Sequence, residues 1–337
     1  MSATRFVRAR QATVAAAAAA PLAVAVMLAN PVGAASAPSA SVADDTLIVT
    51  GTNASELLAL RLQAGAPGTL QVDFGDDGVA EHSFDRATFS RMQVRLLGGN
   101  DQFRIDQANG IFADESATID GGNGNDSLNG GDAVEVFLGG NGSDTVDGNR
   151  GNDTAYLGNG RDSFRWDPGD GSDVVEGQNG TDTLDFNGAP GNEIMSLSPN
   201  GSRSLFLRDV ANIRMDMDGV ERLDLTALGG VDTVTVDDMS GTDFRRADVD
   251  LSGPAGGGDG AGDIVTVKGT AGADRVRVGT DAARVDVKGL ATRVQLTGSE
   301  TIDQLKVDTV DGNDTVRVDG AVFGLITPLV DLGAGQA

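Results

Sequence analysis

Six aspartates near the middle of this chain, Asp126, Asp144, Asp153, Asp162, Asp173 and Asp182, recur at multiples of nine residues with a single slip of two. They occupy the sixth position of nine-residue units laid end to end from Gly121 to Asp185: GGNGNDSLN, GGDAVEVFL, GGNGSDTVD, GNRGNDTAY, LGNGRDSFR, an inserted Trp166 and Asp167, then PGDGSDVVE and GQNGTDTLD. Glu135 holds that position in the second unit. A carboxylate repeated at one phase, with no cysteine in the chain and histidine only at position 82, leaves oxygen as the only donor that could hold a metal. Oxygen donors in a turn, where six to eight irregularly placed ligands are available, suit Ca²⁺ better than Mg²⁺.

The elements that must position these carboxylates follow from the other positions of the unit. Position four is Gly in the six units that carry Asp, and position eight is always apolar: Leu128, Phe137, Val146, Ala155, Phe164, Val175 and Leu184. Gly and Asn tolerate positive φ, so the first six residues predict a tight turn with its carbonyls pointing inward. The last three residues predict a short strand that sends one apolar side chain into the interior. Two units then form one coil of 18 residues, and coils stack in parallel as a flattened β-solenoid. Stacking would align Asp126, Asp144 and Asp162 in one row and Glu135, Asp153 and Asp173 in another. Carboxylates one strand spacing apart, about 4.8 Å, repel unless a cation lies between them.

The pattern GGxGxDxUx, with U apolar, resembles the RTX or haemolysin-type calcium-binding repeats, and GGNGNDSLN and GGNGSDTVD match it at every defined position. The tail Phe164 to Phe186 is also similar to the end of such arrays. The unit GGDAVEVFL departs from the pattern at Ala133 and Glu135. The fold class expected is all-β, a parallel β-roll flanked by further β-solenoid or β-sandwich units. The metal set expected is Asp126, Asp144, Asp153, Asp162, Asp173 and Asp182, with turn residues Gly121, Asn123, Gly139, Asn141, Gly148, Asn159, Gly177 and Asn179. Between Asp120 and Asp185 lie 14 acids against three arginines, so calcium is expected to bring this segment to its folded state. Stacked coils support only their neighbours, so loss of Asp144 is expected to weigh more than loss of Asp182 at the end of the array.

The whole chain has 50 acids against 25 bases, which disfavours nucleic acid and anionic membrane as partners. Residues 1–35 have the order of a secretory signal: Arg5, Arg8 and Arg10, an apolar run from Val14 to Ala29, and a small-x-small site at Val32 to Ala34. A membrane anchor is the competing reading, but the run is short for a span and Pro21 interrupts it. Export to the extracellular space, with no membrane span after cleavage, follows. RTX proteins often leave by an uncleaved C-terminal signal instead, and the apolar tail Ala321 to Leu332 imitates one.

Outside the array, alternating apolar residues bounded by Gly, Asn and Asp predict β-units over 45–110, 193–252 and 263–330, with the array domain over 119–188. Their closing turns, at Asp101, Asp232 and Asp314, resemble single degenerate repeat units, so the mature chain reads either as one long solenoid or as separate β-sandwiches around a roll. The Gly253 to Asp263 loop is the candidate hinge. Catalytic signatures are missing: HExxH needs two histidines, and no serine lies in GxSxG. His82 is expected in a surface loop. A non-enzymatic, calcium-binding structural protein is the first expectation. A calcium-dependent adhesin or matrix protein with a cell-surface partner is the second, and a secreted hydrolase a distant third.

Overall fold

The computed structural model describes residues 37–333, so the expected signal segment lies outside the described residues. The fold is all-β, built from two sheets of 14 strands each that run from Ser39–Ala43 to Thr327–Asp331. In the array the chain alternates between the two sheets, because one apolar side chain per half-coil must face inward from each. Ile119, Phe137, Ala155 and Val175 stack in register in one sheet. Leu128, Val146, Phe164 and Leu184 do so in the other. The 18-residue coil is therefore the repeating unit, and it becomes 20 residues only where Trp166 and Asp167 are inserted.

Strand length departs from the expectation of three residues per unit. It holds in one sheet, at Ser127–Asn129 and Thr145–Asp147. In the other, strands continue through the glycines of the next unit, as in Ser116–Asn123, Glu135–Gly142, Thr154–Gly160 and Val174–Gly180. The reason is backbone pairing: Gly140 and Asn141 lie opposite Gly122 and Asn123 on one side and Gly158 and Asn159 on the other, so these residues add rungs to the ladder.

The flanking segments contribute strands to the same two sheets rather than to sheets of their own. Parallel stacking is interrupted by antiparallel excursions, such as Ile194–Asn200 with Arg203–Arg208 and Arg203–Arg208 with Ile213–Asp218. One continuous apolar core extends from Leu47 to Ile326. The array does not end the stack, since Thr183–Asn187 pairs in parallel with Arg222–Thr226. Among the described residues no helix is long and apolar enough to cross a membrane. His82 opens the strand His82–Asp85, where its ring stacks on Phe84, so it is not a loop residue; alternation along VAEHSF placed it there.

Trp166 shows how the two-residue insertion is absorbed. Its ring is fully buried and stacks on Phe186 at 4.1 Å, with the Arg208 guanidinium 5.2 Å from its centroid. Its indole N–H donates to the Gly171 carbonyl at 2.8 Å, which satisfies the one polar atom that burial would strand. Arg208 in turn is buried against Glu193, so the array is locked to the segment that follows it.

Position four is closed to a side chain where a Cβ would meet the carbonyl of the coil before, as at Gly142, although Ala133 holds that position in the second unit. Gly142 has φ of 146° and a Cβ there would run into the Gly124 carbonyl of the coil before. Gly169, at position two of its unit and φ 124°, has open space where a Cβ would lie. Gly142→Ala is therefore expected to cost on the order of 3 kcal/mol in denaturant unfolding with calcium present, and Gly169→Ala only about 1 kcal/mol from backbone strain. Equal costs would show that the coils are not packed at this carbonyl row.

Candidate metal centre

The sixth-position carboxylates are joined rung to rung by their own backbone. Asp126 N–H donates to Asp144 Oδ1 at 2.8 Å, Asp144 N–H to Asp162 Oδ1 at 2.8 Å, and Asp162 N–H to Asp182 Oδ1 at 2.9 Å. The second row runs likewise from Glu135 to Asp153 and Asp173, each step at 2.8 Å. The expected rows are present, and the first is longer than the sequence suggested. Glu56 N–H donates to Asp101 Oδ1 and Asp101 N–H to Asp126 Oδ1 below the array; Asp182 N–H donates to Glu221 Oε2 above it. Asp182 is thus an interior rung, so the expectation that it matters less than Asp144 as an array end does not hold.

In Asp126, Asp144, Asp153, Asp162 and Asp182 one oxygen is spent on this ladder and the other is left over, while Glu135 spends one oxygen on the Gly131 N–H of its own turn. Oδ2 of Asp126, Asp144, Asp153, Asp162 and Asp182, and Oε1 of Glu135, are buried without a hydrogen-bond partner. A buried carboxylate oxygen without a partner is costly, on the order of several kcal/mol if charged. The acids respond by holding their protons. Burial, opposed by the one N–H bond and reinforced by neighbouring carboxylates, pushes Asp144 and Asp182 up to about 7. Burial pushes Asp173 and Glu135 up to about 7 and Asp153 up to about 9.

The first-position glycines complete the site. A Cβ on Gly121 would lie 2.6 Å from Asp126 Oδ2 and 2.8 Å from the Gly139 carbonyl oxygen of the next coil, so two oxygens converge on the space that the missing side chain leaves. Gly139 faces Asp144 Oδ2 and the Leu157 carbonyl in the same way, Gly177 faces Asp182 Oδ2 and the Gly219 carbonyl, and Gly148 faces Asp153 Oδ2. Leu157 and Pro168 replace that glycine before Asp162 and Asp173. No three acidic or histidine side chains converge among the described residues, so a cation here would draw on one or two carboxylates and on backbone carbonyls. That donor set, all oxygen and largely carbonyl, fits Ca²⁺.

The asparagines are placed differently from the expectation. Asn141, Asn159 and Asn179 each donate their side-chain amide to the Oδ1 of Asn123, Asn141 and Asn159 at 2.8–2.9 Å, forming an exposed ladder along the outside of the roll. The backbone carbonyls of Asn123 and Asn141 accept from Gly99 and Gly124. Sequence reasoning missed instead the fifth-position amides: Asn125 Oδ1 accepts from Ser143 N–H at 2.7 Å and Asn152 Oδ1 from Ser172 N–H at 2.9 Å, holding turn to turn. Their signal was their recurrence one residue before the aspartate.

Neither the protein-family profiles nor the curated proteins give a match to this chain. The site is read from its own geometry.

The flanking turns sharpen that geometry by contrast. Glu56 accepts twice from Thr52 N–H at 2.9 Å, and Asp274 accepts from Thr270 N–H at 2.8 Å and its hydroxyl at 3.1 Å. Glu193 accepts from Ala189 N–H at 2.9 Å and pairs with Arg208. The protein satisfies these carboxylates itself, whereas an Oδ2 is left without a partner in Asp126, Asp144, Asp153, Asp162 and Asp182 of the array and in Asp101, Asp232 and Asp314 of the flanking turns.

Proposed function

We propose that the chain is a secreted, non-enzymatic calcium-binding repeat protein of the RTX type, whose β-roll reaches its stable folded state on binding extracellular Ca²⁺ and serves a structural or surface role. What supports this reading above all is the row of buried aspartates whose second oxygen has no protein partner, beside glycines that leave room next to it. Asp126, Asp144, Asp153 and Asp182, with the carbonyls around Gly121, Gly139, Gly148 and Gly177, would hold the ions. Calcium supplies the positive charge that the carboxylate rows lack. The residues of the chain hold the ladder in register and exclude water from it.

Calcium titration tests the reading, followed by circular dichroism and by the fluorescence of Trp166, the only tryptophan in the chain. Extracellular calcium modules bind at ~10⁻⁴ to 10⁻³ M, and the midpoint is expected in that range. Each occupied site adds about 2.7 kcal/mol at a hundredfold excess over Kd. Asp144→Ala and Asp182→Ala are expected to raise the midpoint by similar factors, because both are interior rungs. A spectrum and stability in excess chelator equal to those in calcium would refute the proposal.

A further inference from the structure

A row of six basic side chains crosses the outer face of one sheet beyond the array. Arg222 lies opposite Arg246, and Arg246 opposite Arg293. Val287 lies opposite Val294 in the antiparallel pair that follows, which puts Lys288 across from Arg293. Arg277 then lies opposite both Lys288 and Arg317. At ~4.8 Å per strand the six span about 24 Å. The same row is uncharged along the array, where Ser127, Thr145, Ser163 and Thr183 hold it, and it turns basic at Arg222.

Folding alone does not account for such a row, because like charges directly opposite on neighbouring strands are destabilising. A row of acids beside it offsets part of the cost. Arg222 and Arg246 pair with Asp248, Arg293 and Lys288 with Asp286, and Arg277 with Asp319. The acid row is incomplete: it holds Asp224, Asp248, Asp286 and Asp319, with Gln295 and Gly279 at the two remaining places. The excess of positive charge reaches the surface, since the side chains of Lys288, Arg277 and Arg317 are 54%, 66% and 80% exposed. Arg275 and Arg284 are exposed as well and form no ion pair among the described residues. Room for a ligand lies along the row. Arg222, Arg246, Arg284 and Thr297 border a cavity of about 270 Å³, and Arg277, Lys288 and Thr280 border another of about 200 Å³.

We propose that this stripe binds a linear acidic polysaccharide with one carboxylate per sugar, laid along the stack and across the strands. Guanidinium forks match carboxylates, and a straight row with one base per strand matches an extended polymer with one charge per residue. Gln295, Thr297 and Thr280 in the two cavities offer partners for sugar hydroxyls. The phosphates of a DNA duplex wind away from a straight row and meet it only in part. The net charge of −25 does not forbid a polyanion here, because at physiological salt a charge acts over about 8 Å. At the exposed end of the row Arg275, Arg277, Lys288 and Arg317 stand against Asp286 and Asp319. The stripe lies on residues that the repeat does not include, and it does not rest on the calcium reading.

Titration calorimetry of the full chain in calcium and physiological salt, with hexagalacturonate as the probe, tests this. The unaltered chain is expected to bind hexagalacturonate and not its methyl ester. Arg277→Gln, Lys288→Gln and Arg317→Gln together should weaken binding about tenfold or more, and leave the melting temperature nearly unchanged because exposed ion pairs add little to stability. Arg150→Gln, which removes an exposed base from the array, should bind as the unaltered chain does. Should the triple variant fail to fold, Arg317→Glu at the most exposed place in the row decides in its stead and should also weaken binding. No binding by the unaltered chain, equal binding by the variant, equal binding of the methyl ester, or tighter binding of a DNA duplex overturns the proposal. The calcium sites of the array are tested separately, by the comparison with chelator.

Discussion

A chain carrying Asp126→Asn, Asp144→Asn and Asp162→Asn together is expected to fold more stably than the unaltered protein in excess chelator, while losing most of its response to calcium. Asparagine keeps the Oδ1 that accepts from the N–H of the rung before, so the ladder of Asp101, Asp126 and Asp144 N–H groups survives. What changes is the second atom. In the aspartate it is a buried oxygen without a partner. In the asparagine it is an NH₂ donor, and at Gly121 it faces the Gly139 carbonyl. Removing an uncompensated buried charge, or the need to hold a proton on it, is worth on the order of several kcal/mol across the row. The calcium site loses its charge at the same stroke, so affinity falls as metal-free stability rises. Alanine at the same positions removes both atoms and should lower stability with and without the metal. Thermal melts of both triple variants in chelator and in millimolar calcium check this. If the asparagine chain melts below the unaltered one in chelator, the carboxylate row is not what makes the metal-free roll unstable.

Much of this site was legible because the repeat fixes phase. Leu128, Val146, Phe164 and Leu184 at one position of the unit are enough to predict parallel register, and register alone puts Asp126, Asp144 and Asp162 in line. The length of the row was not legible. The turn at 96–101 stacks directly on the turn at 121–126, with Gly99 N–H donating to the Asn123 carbonyl at 2.8 Å. Yet it carries Leu97 at φ 74° where the array has Gly122 at φ 92°. Leu228 at φ 71° and Val310 at φ 64° stand at the same place in the turns at Asp232 and Asp314, which the sequence marks only as degenerate units. A pattern that asks for glycine wherever φ is positive cannot see a leucine that neighbouring rungs force into that conformation. The Asp of each closing turn was still a usable signal, and Asp101, Asp232 and Asp314 all keep an Oδ2 without a partner, as the array aspartates do. Glu56, Glu193 and Glu221 escaped notice because the pattern asks for Asp. A glutamate reaches the same rung through a longer side chain, and at 56 and 193 folds back on its own turn.

In chelator, stability is expected to fall as pH rises from about 4 to about 8, the reverse of what an acidic protein with paired carboxylates would show. The carboxylates that decide this are Asp144, Asp173 and Asp182, raised from 3.8 to about 7, Glu135, raised from 4.5 to about 7, and Asp153, raised to about 9. Burial is the leading cause in each case, and like-charged neighbours add to it for all five. Such groups hold protons in the folded state that the unfolded chain has already released, so ν for the native state exceeds ν for the unfolded one and the slope of stability with pH is negative. Their contribution is complete below about pH 4 and is lost as pH climbs through 7, with Asp153 extending the loss toward 9. Asp76, which the Arg104 hydrogen bond holds below the ordinary carboxylate range, acts oppositely and only at more acid pH, where its ion pair is lost. Calcium needs the ionised form, so the metal and the proton compete for the same oxygens. The melting temperature in chelator should therefore drop by about 10 °C or more between pH 4.5 and pH 8. In saturating calcium that drop should shrink, and the calcium midpoint at pH 4.5 should lie at least about tenfold above its value at pH 8. A melting temperature in chelator that rises across this window would mean that the carboxylate rows are ionised without metal, and the case for calcium as their counter-charge would fail with it.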